Sequence, residues 1–461
     1  MSALVSHRIV KLHTQMARPL YAGMCALVLS ATVCTFPLWG RRAALRLLYS
    51  IPVPAEFIAV LEDVSPQNAA MLNASGGDYS GRSVPSPDFA DPKLIMWNIA
   101  ERRLLREVSL AECVKRRAEL PSSLSTLRLG PFRFARDGAT VVGLQLPWLF
   151  SIDPVTGKEI SHLAVSPGLL NGVVMGLGEL APPLEASPNG VLLATIANQG
   201  AIGFKPRLLL LRTDSLSVVV DLPLPLYANS IGWSPDSLRI AVLYNHRLDE
   251  NGKLVPYGKL PLMRAQPDVE VFDAGSGRSL LRFSTGTDES RISFSHDGES
   301  LWCVGWSGEG LPGFLIPLAK ILGALSHRSG PDDYGWSADV IRVYSSRNGA
   351  LLRAIRGGHN GLRNNLVISP SGRFAVADAS RIVPYYVREP PTDQKIGSFT
   401  YLQTATGKLL YTFEKRITGD YGQPYHFAFT NDERFLLVDS NNFHSGPGPR
   451  MEENVDVYGI D

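Results

Sequence analysis

Cysteine is almost missing from this chain. Four occur in 461 residues. Cys25 and Cys34 fall inside its one long apolar stretch, which leaves Cys113 and Cys303 for everything else. Two thiols over that length give no disulfide framework; they form either one bridge in an oxidising compartment or, as is favoured because small thiols pack well, two buried thiols. Net charge is equally scarce: 45 Lys+Arg stand against 43 Asp+Glu, a formal +2. With no global field to draw polyanions, no nucleic-acid partner is expected. Long helical periodicity is rare as well. The chain has no H-E-x-x-H, no C-x-x-C, no His/carboxylate run of metal-ligand spacing, no G-x-S-x-G and no Walker-type loop. These gaps remove the local signals of a zinc site, a phosphate cradle and an α/β-hydrolase elbow, so neither a metal nor a cofactor is expected and a non-enzyme is favoured.

The apolar stretch is residues 19–40, PLYAGMCALVLSATVCTFPLWG, which carries no charged side chain. About 20 such residues suffice to cross a bilayer core. Arg8, Lys11 and Arg18 precede it, as in an export signal, but no small-x-small cleavage site follows. The expectation is therefore an N-terminal hydrophobic helix acting as an uncleaved single-pass anchor after a basic segment, 1–18. Arg41, Arg42 and Arg46 balance the basic residues on the other side, so the charge rule does not choose an orientation. An exported ring is the default, with a secreted or a cytoplasm-facing form as alternatives.

Glycine and proline, 42 and 33 residues, are spread along the rest, as suits many short strands joined by turns. One turn recurs seven times: Ser65-Pro66-Gln67-Asn68, Ala135-Arg136-Asp137-Gly138, Ser187-Pro188-Asn189-Gly190, Ser234-Pro235-Asp236-Ser237, Ser295-His296-Asp297-Gly298, Ser369-Pro370-Ser371-Gly372 and Thr430-Asn431-Asp432-Glu433. Their third positions lie 70, 52, 47, 61, 74 and 61 residues apart. Pro presets φ, Asp or Asn bonds nearby backbone, and Gly or Asn accepts positive φ, the needs of a tight hairpin. An apolar strand follows each turn, such as Leu238 to Tyr244 or Ser300 to Trp306. A third strand comes next, such as Asp268 to Asp273, and then a second turn of the type Asp153-Pro154-Val155-Thr156-Gly157-Lys158 leads to an outer strand. Four antiparallel strands per repeat predict an all-β, seven-bladed β-propeller over residues 44–461. The last repeat stops after three strands while ALRLLYSIPV, residues 44–53, stands alone before the first. That N-terminal run is expected to close the final blade and complete a monomeric ring.

The order "SPDG, apolar strand, long loop, strand, D-x-x-TG-K, strand" resembles the WD-repeat and related YVTN-type propeller families, over roughly Ala55 to Asp461. Gly358-His359 ahead of NNLVISPSG resembles the Gly-His that opens a WD repeat. No repeat here ends in Trp-Asp, most lack Gly-His, and the spacing exceeds that family's usual 40 to 45 or so residues. The resemblance implies a binding ring and does not by itself name a partner.

The first-to-second and third-to-fourth turns are tight, whereas the second-to-third connections vary: 74–92, 245–267, 307–338, 379–397 and 440–453. In a four-stranded blade these emerge at one end of the ring, which becomes the candidate interaction surface for an unidentified protein or peptide. The binding candidates there are His246, Arg247, Asp249, Tyr257, Tyr334, Trp336 and His359, aromatic and charged side chains of the kind that anchor interfaces. Lys115-Arg116-Arg117 is the densest basic run, suited to a phosphate or simply to solvent, and Asn73-Ala74-Ser75 fits a glycosylation acceptor. The rival to a binding platform is an exported propeller enzyme of lactonase, glycan-active or quinoprotein type, with its site in the central channel.

Overall fold

The computed structural model describes residues 45–52, 57–76, 92–111, 130–135, 138–145, 148–165, 183–198, 205–244, 267–285, 288–306, 340–356, 363–378, 396–416, 421–444 and 450–460. They form seven four-stranded antiparallel sheets. The N-terminal strand is β1 (Leu45–Ile51). Blade 1 is β2 (Phe57–Val64), β3 (Ala69–Gly76), β4 (Lys93–Asn98) and β5 (Arg103–Ser109); blade 2 is β6 (Phe132–Phe134), β7 (Val141–Gln145), β8 (Trp148–Ile152) and β9 (Glu159–Ala164). Blade 3 is β10 (Leu184–Ala186), β11 (Leu192–Asn198), β12 (Pro206–Arg212) and β13 (Val218–Pro223); blade 4 is β14 (Ala228–Trp233), β15 (Arg239–Tyr244), β16 (Val269–Asp273) and β17 (Ser279–Phe283). Blade 5 is β18 (Asp288–Phe294), β19 (Ser300–Trp306), β20 (Val340–Ser345) and β21 (Leu351–Arg356); blade 6 is β22 (Arg363–Ile368), β23 (Phe374–Asp378), β24 (Ile396–Gln403) and β25 (Leu409–Arg416). Blade 7 takes β26 (Tyr421–Phe429), β27 (Phe435–His444) and β28 (Arg450–Ile460), and β1 supplies its outer strand, from Leu45 opposite Ile460 to Ile51 opposite Val455.

The repeated turns fold for a shared local reason. In all seven the fourth residue has positive φ: Asn68, Gly138, Gly190, Ser237, Gly298, Gly372 and Glu433. Ser237 and Glu433 hold that conformation against the preference of a residue with a Cβ. The first residue does work that the sequence pattern alone did not reveal. Ser234 Oγ donates to Asp236 Oδ1 (2.5 Å) and accepts from the Arg239 N–H (2.8 Å), and this bond, ahead of other contacts, holds the Asp236 carboxyl below its ordinary range. The two kinds of tight turn then bond to each other at one end of the ring. The N–H groups of Thr213, Ala274, Ser346 and Thr404 donate to Val191, Leu238, Glu299 and Arg373 carbonyls at 2.8–3.0 Å.

The core is a set of seams between blades, which explains why second and third strands read as unbroken apolar runs. Leu208 and Leu210 of β12 pack with Ile231 and Trp233 of blade 4, while the intervening Leu209 and Leu211 pack with Val142, Leu144 and Leu149 of blade 2. Both faces of such a strand are buried, so the period-2 alternation of a half-buried strand is lost. The seam between blades 6 and 7 is aromatic. Phe399 stacks on Phe413 at 4.6 Å between ring centres, and Tyr458 meets Phe413 edge-on at 5.1 Å.

The expectation of a long connection over 440–453 needs correction. β27 continues to His444 and β28 starts at Arg450, with Ser440 opposite Asn454 and Asn442 opposite Glu452. The run Ser440 to Asn442 is polar and ends the apolar pattern, but backbone pairing does not depend on apolar side chains. Residues 19–40, and with them the expected N-terminal helix, lie outside the described residues; among those described, no helix is long and apolar enough to cross a membrane.

Candidate functional site

The first strand of each blade lines the channel, and five of these strands carry a bulge. The pairing skips Glu62 in β2, Asn229 in β14, Ser290 in β18, Asn364 and Asn365 in β22, and Tyr425 in β26. A bulge breaks the up-down alternation of side chains, so neighbours in sequence are re-aimed toward the same side. In β2 the consequence is direct. Glu62 Oε2 accepts from the Phe132 N–H (3.0 Å) and Asp63 Oδ2 from the Phe134 N–H (2.9 Å), so two successive carboxylates both reach β6 of blade 2. They satisfy backbone donors on an inner strand of three residues, an edge that otherwise offers unpaired amides. The same device recurs where Ser230 Oγ accepts from the Ile292 N–H (3.2 Å) and Asp439 Oδ2 from the Leu61 N–H (3.0 Å).

Arg133, central in β6, ties three blades together. Its Nη1 donates to the Glu62 carbonyl (2.8 Å) and to the Phe132 carbonyl (2.9 Å), and its Nη2 lies 3.4 Å from Glu185 Oε1 of β10. The Glu185 carbonyl in turn accepts from Trp233 Nε1 of blade 4 at 3.0 Å. The remaining oxygens of the blade 1 acids are also used: Glu62 Oε1 accepts from the Asn73 amide (3.1 Å) and Asp63 Oδ1 from the Val64 N–H (2.8 Å). Arg291 of β18 belongs to the same group, because its charge interacts with Glu185 and Arg133, two and three blades away. Only the channel connects strands so far apart in the ring.

Burial dominates the titration of this cluster. It pushes the Asp63 carboxyl up to about 6, with Arg133 and two backbone N–H bonds opposing and Glu185 adding to the rise. Burial works against the Arg133 cation, but Glu185, Asp63 and Glu62 outweigh it and hold the guanidinium more firmly protonated. Arg291 moves the other way: burial lowers it, Arg133 lowers it further, and Glu185 only partly compensates. The cluster therefore combines a carboxyl that titrates close to neutrality with two cations of unequal support.

All seven sequence-nominated binding residues, His246, Arg247, Asp249, Tyr257, Tyr334, Trp336 and His359, lie outside the described residues, as do Lys115, Arg116, Arg117 and Cys113. Cys303 is buried on β19 and is not part of a disulfide. Asn73 is corrected: it is 1% exposed and donates to Glu62, so its amide is committed inside the ring and is no surface acceptor for a glycan. Among the described residues no group of three or more His, Cys, Asp or Glu is placed to hold a metal. The channel cluster itself was missed in the sequence, although two signals marked it. Glu62-Asp63 interrupt the apolar FIAVLEDV, and Arg133 sits between two phenylalanines in FRF; charge inside an apolar strand asks for a partner.

No family model matches the chain, and no curated protein matches it in sequence. Among solved structures it is similar to the hydrazine synthase of Kuenenia stuttgartiensis, at 13% identity over 68% of this chain and 75% of that one, with a TM-score of 0.45. It is also similar to the Cps50 (Swd1) beta-propeller domain of Myceliophteria thermophila, at 8% identity over 91% of this chain and 100% of that one, with a TM-score of 0.48. Neither likeness carries an argument about function.

Proposed function

We propose that the chain is a non-enzymatic binding platform that holds a protein or peptide at the end of the ring bearing its long connections. The observation that carries this reading is the asymmetry of the ring's two ends. One end is consumed by short turns bonded to one another. Every connection longer than those turns leaves from the other end, as the strand order of the sheets requires. Variable segments on a rigid closed scaffold are where recognition concentrates. The side chains assigned to it are His246, Arg247, Asp249, Tyr257, Tyr334, Trp336 and His359. In the same reading residues 19–40 tether the ring to a membrane, with the ring on the exported side.

The test is affinity capture with the full chain and with a full chain whose residues 307–338 are replaced by a short Gly-Ser linker. The expected result is a protein retained by the first and lost by the second, at unchanged thermal midpoint. Equal capture by both, or no partner for either, overturns the assignment. Resistance of the chain to alkaline extraction from membranes, abolished by deleting 19–40, tests the tether separately.

A further inference from the structure

Every large apolar side chain that is exposed among the described residues lies at the end of the ring closed by the tight turns. One comes from each of six consecutive blades: Leu47 on β1 of blade 7, Leu104 on β5, Val155 in the second turn of blade 2, Val218 on β13, Leu238 directly after the first turn of blade 4, and Leu351 on β21, at 44–64% exposure. The others follow within the first three residues of an outer strand. Farther along the same strands Val108, Val220 and Ile355 are buried. Single exposed aliphatics are ordinary on a protein surface, but their collection at one end of it is a property of that end. The chain also enters the ring there. Leu45 pairs with Ile460, whose N–H donates to the Arg434 carbonyl (3.0 Å) in the same set of turn-to-turn bonds. Residues 41–44 are all that separate Leu45 from the uncharged run 19–40, a reach of under about 20 Å even when fully extended. Cations at this end are met by acids of their own blade: Arg103 by Glu101 (2.5 Å), Arg212 by Asp214 (3.1 Å) and Arg347 by Glu299 (2.7 Å). A globular partner would cover one sector of the ring and leave the remaining aliphatics in water. A bilayer surface is flat and fluid, so it meets all blades together and accepts separate aliphatic side chains without a matched shape.

We propose that the turn end of the ring docks on a phospholipid bilayer surface, with Leu47, Leu104, Val155, Val218, Leu238 and Leu351 seated at the boundary between headgroups and acyl chains. The inference rests on the tether assigned to residues 19–40 and adds an orientation to it. The long connections then face away from the membrane, where a protein or peptide partner can reach them.

The test uses the full chain in phosphatidylcholine vesicles, with photoreactive benzoylphenylalanine in place of Leu238, of Leu351 or, at the other end of the ring, of the exposed Pro225 between β13 and β14. Irradiation is expected to attach lipid at 238 and at 351 with a yield at least about tenfold that at 225, because the crosslink forms only where the side chain reaches the headgroup and acyl boundary. Equal yields at the three positions, or none at 238 and 351, overturn the proposal. Exchanging part of the phosphatidylcholine for phosphatidylserine should change the yield by less than about twofold, as the paired charges of this end require. A yield that appears only with phosphatidylserine overturns docking through the aliphatic side chains. A chain that does not join the vesicles at all overturns both the tether and the docking. A chain that joins them, resists alkaline extraction and attaches no lipid at 238 or 351 overturns the docking alone.

Discussion

The strand beside the channel and the strand at the rim both interrupt their ladders with an extra residue, but the residues differ in kind. At the channel the skipped residues are Glu62, Asn229, Ser290, Asn364 with Asn365, and Tyr425. At the rim they are Leu48, Leu105, Ile160, Val219, Leu280, Leu352 and Leu410, one in every blade and all aliphatic. Even β1, recruited from the far end of the chain, obeys the rim rule. A bulge leaves backbone groups unpaired and turns side chains. Beside the channel, polar side chains at or next to two of these bulges answer amides of the next blade, as Glu62, Asp63 and Ser230 do. At the rim, water answers them, and the break in the ladder twists an outer edge that would otherwise accept a strand from another molecule. The inner bulges thus carry chemistry, while the outer ones shape an edge.

The largest effect should come from breaking the inner side of this contrast. Arg133→Met removes the cation shared by Glu62, Asp63 and Glu185 and leaves three acids in a confined space. With side chains 21% and 32% exposed at the Arg133–Glu185 pair, water screens part of the loss, and a destabilisation of about 3 kcal/mol is expected, at the lower edge for a broken buried pair. Its pH dependence gives the sign. Asp63 already has a folded pKa raised to about 6, so its contribution favours the fold when protonated and is lost as pH rises through that value. Without Arg133, which holds it down, Asp63 titrates higher still. The gap between variant and parent in urea-unfolding midpoint should therefore shrink from pH 7.5 to pH 5, and a gap that is absent or independent of pH refutes an electrostatic seam.

A smaller effect is expected where rim and turns meet. Gly407 has φ of +69°, and a Cβ there would stand 2.9 Å from Ile355 Cγ1 on the outer strand of the preceding blade. Gly157 meets Val108, and Gly277 meets Val220, in the same way, so the positive-φ glycine of these turns is a recurring joint between blades. Gly407→Ala should cost about 2 kcal/mol, from left-handed backbone and overlap together. Gly275→Ala is the comparison, since its Cβ would meet only Asp273 Oδ1 at 3.6 Å; a midpoint shift under about 0.5 kcal/mol is expected there. Equal shifts for the two glycines would show that helical or turn propensity, and not the joint, sets the result.

Repetition made the fold legible. Seven turns with Ser, Asp or Gly at fixed places, the apolar strands after them and the solitary strand-like run before the first repeat carry the four-stranded blades, because a repeated local constraint survives the divergence of any single copy. The channel cluster was not legible because it does not repeat. Glu62, Asp63, Arg133, Glu185 and Arg291 come from four blades and are brought together only by closure of the ring. Their partners are mostly backbone N–H and carbonyl groups, which no side-chain pattern encodes. The bulges were hidden for a related reason: Leu104-Leu105 and Leu351-Leu352 read as ordinary apolar pairs, and only the pairing register shows that the second of each is skipped.

The smallest effect should come from the rim itself, and it sharpens the contrast most. Leu105, Ile160, Val219, Leu280 and Leu352 are 43%, 54%, 46%, 42% and 59% exposed, so each has little apolar contact to lose. Thr keeps the strand preference of these sites while removing the aliphatic tip. Each single replacement should change stability by less than about 0.5 kcal/mol, as for exposed positions generally. The five sit on different blades without a shared partner, so their effects should add. All five together are then expected to cost less than Arg133→Met alone, with the mass by light scattering unchanged from that of the parent because the bulges, and not the side chains on them, keep the edges unpaired. A fivefold variant that unfolds as readily as Arg133→Met would mean that the rim aliphatics hold the blades together, and the division between an inner edge that carries chemistry and an outer edge that only shapes the ring would fall.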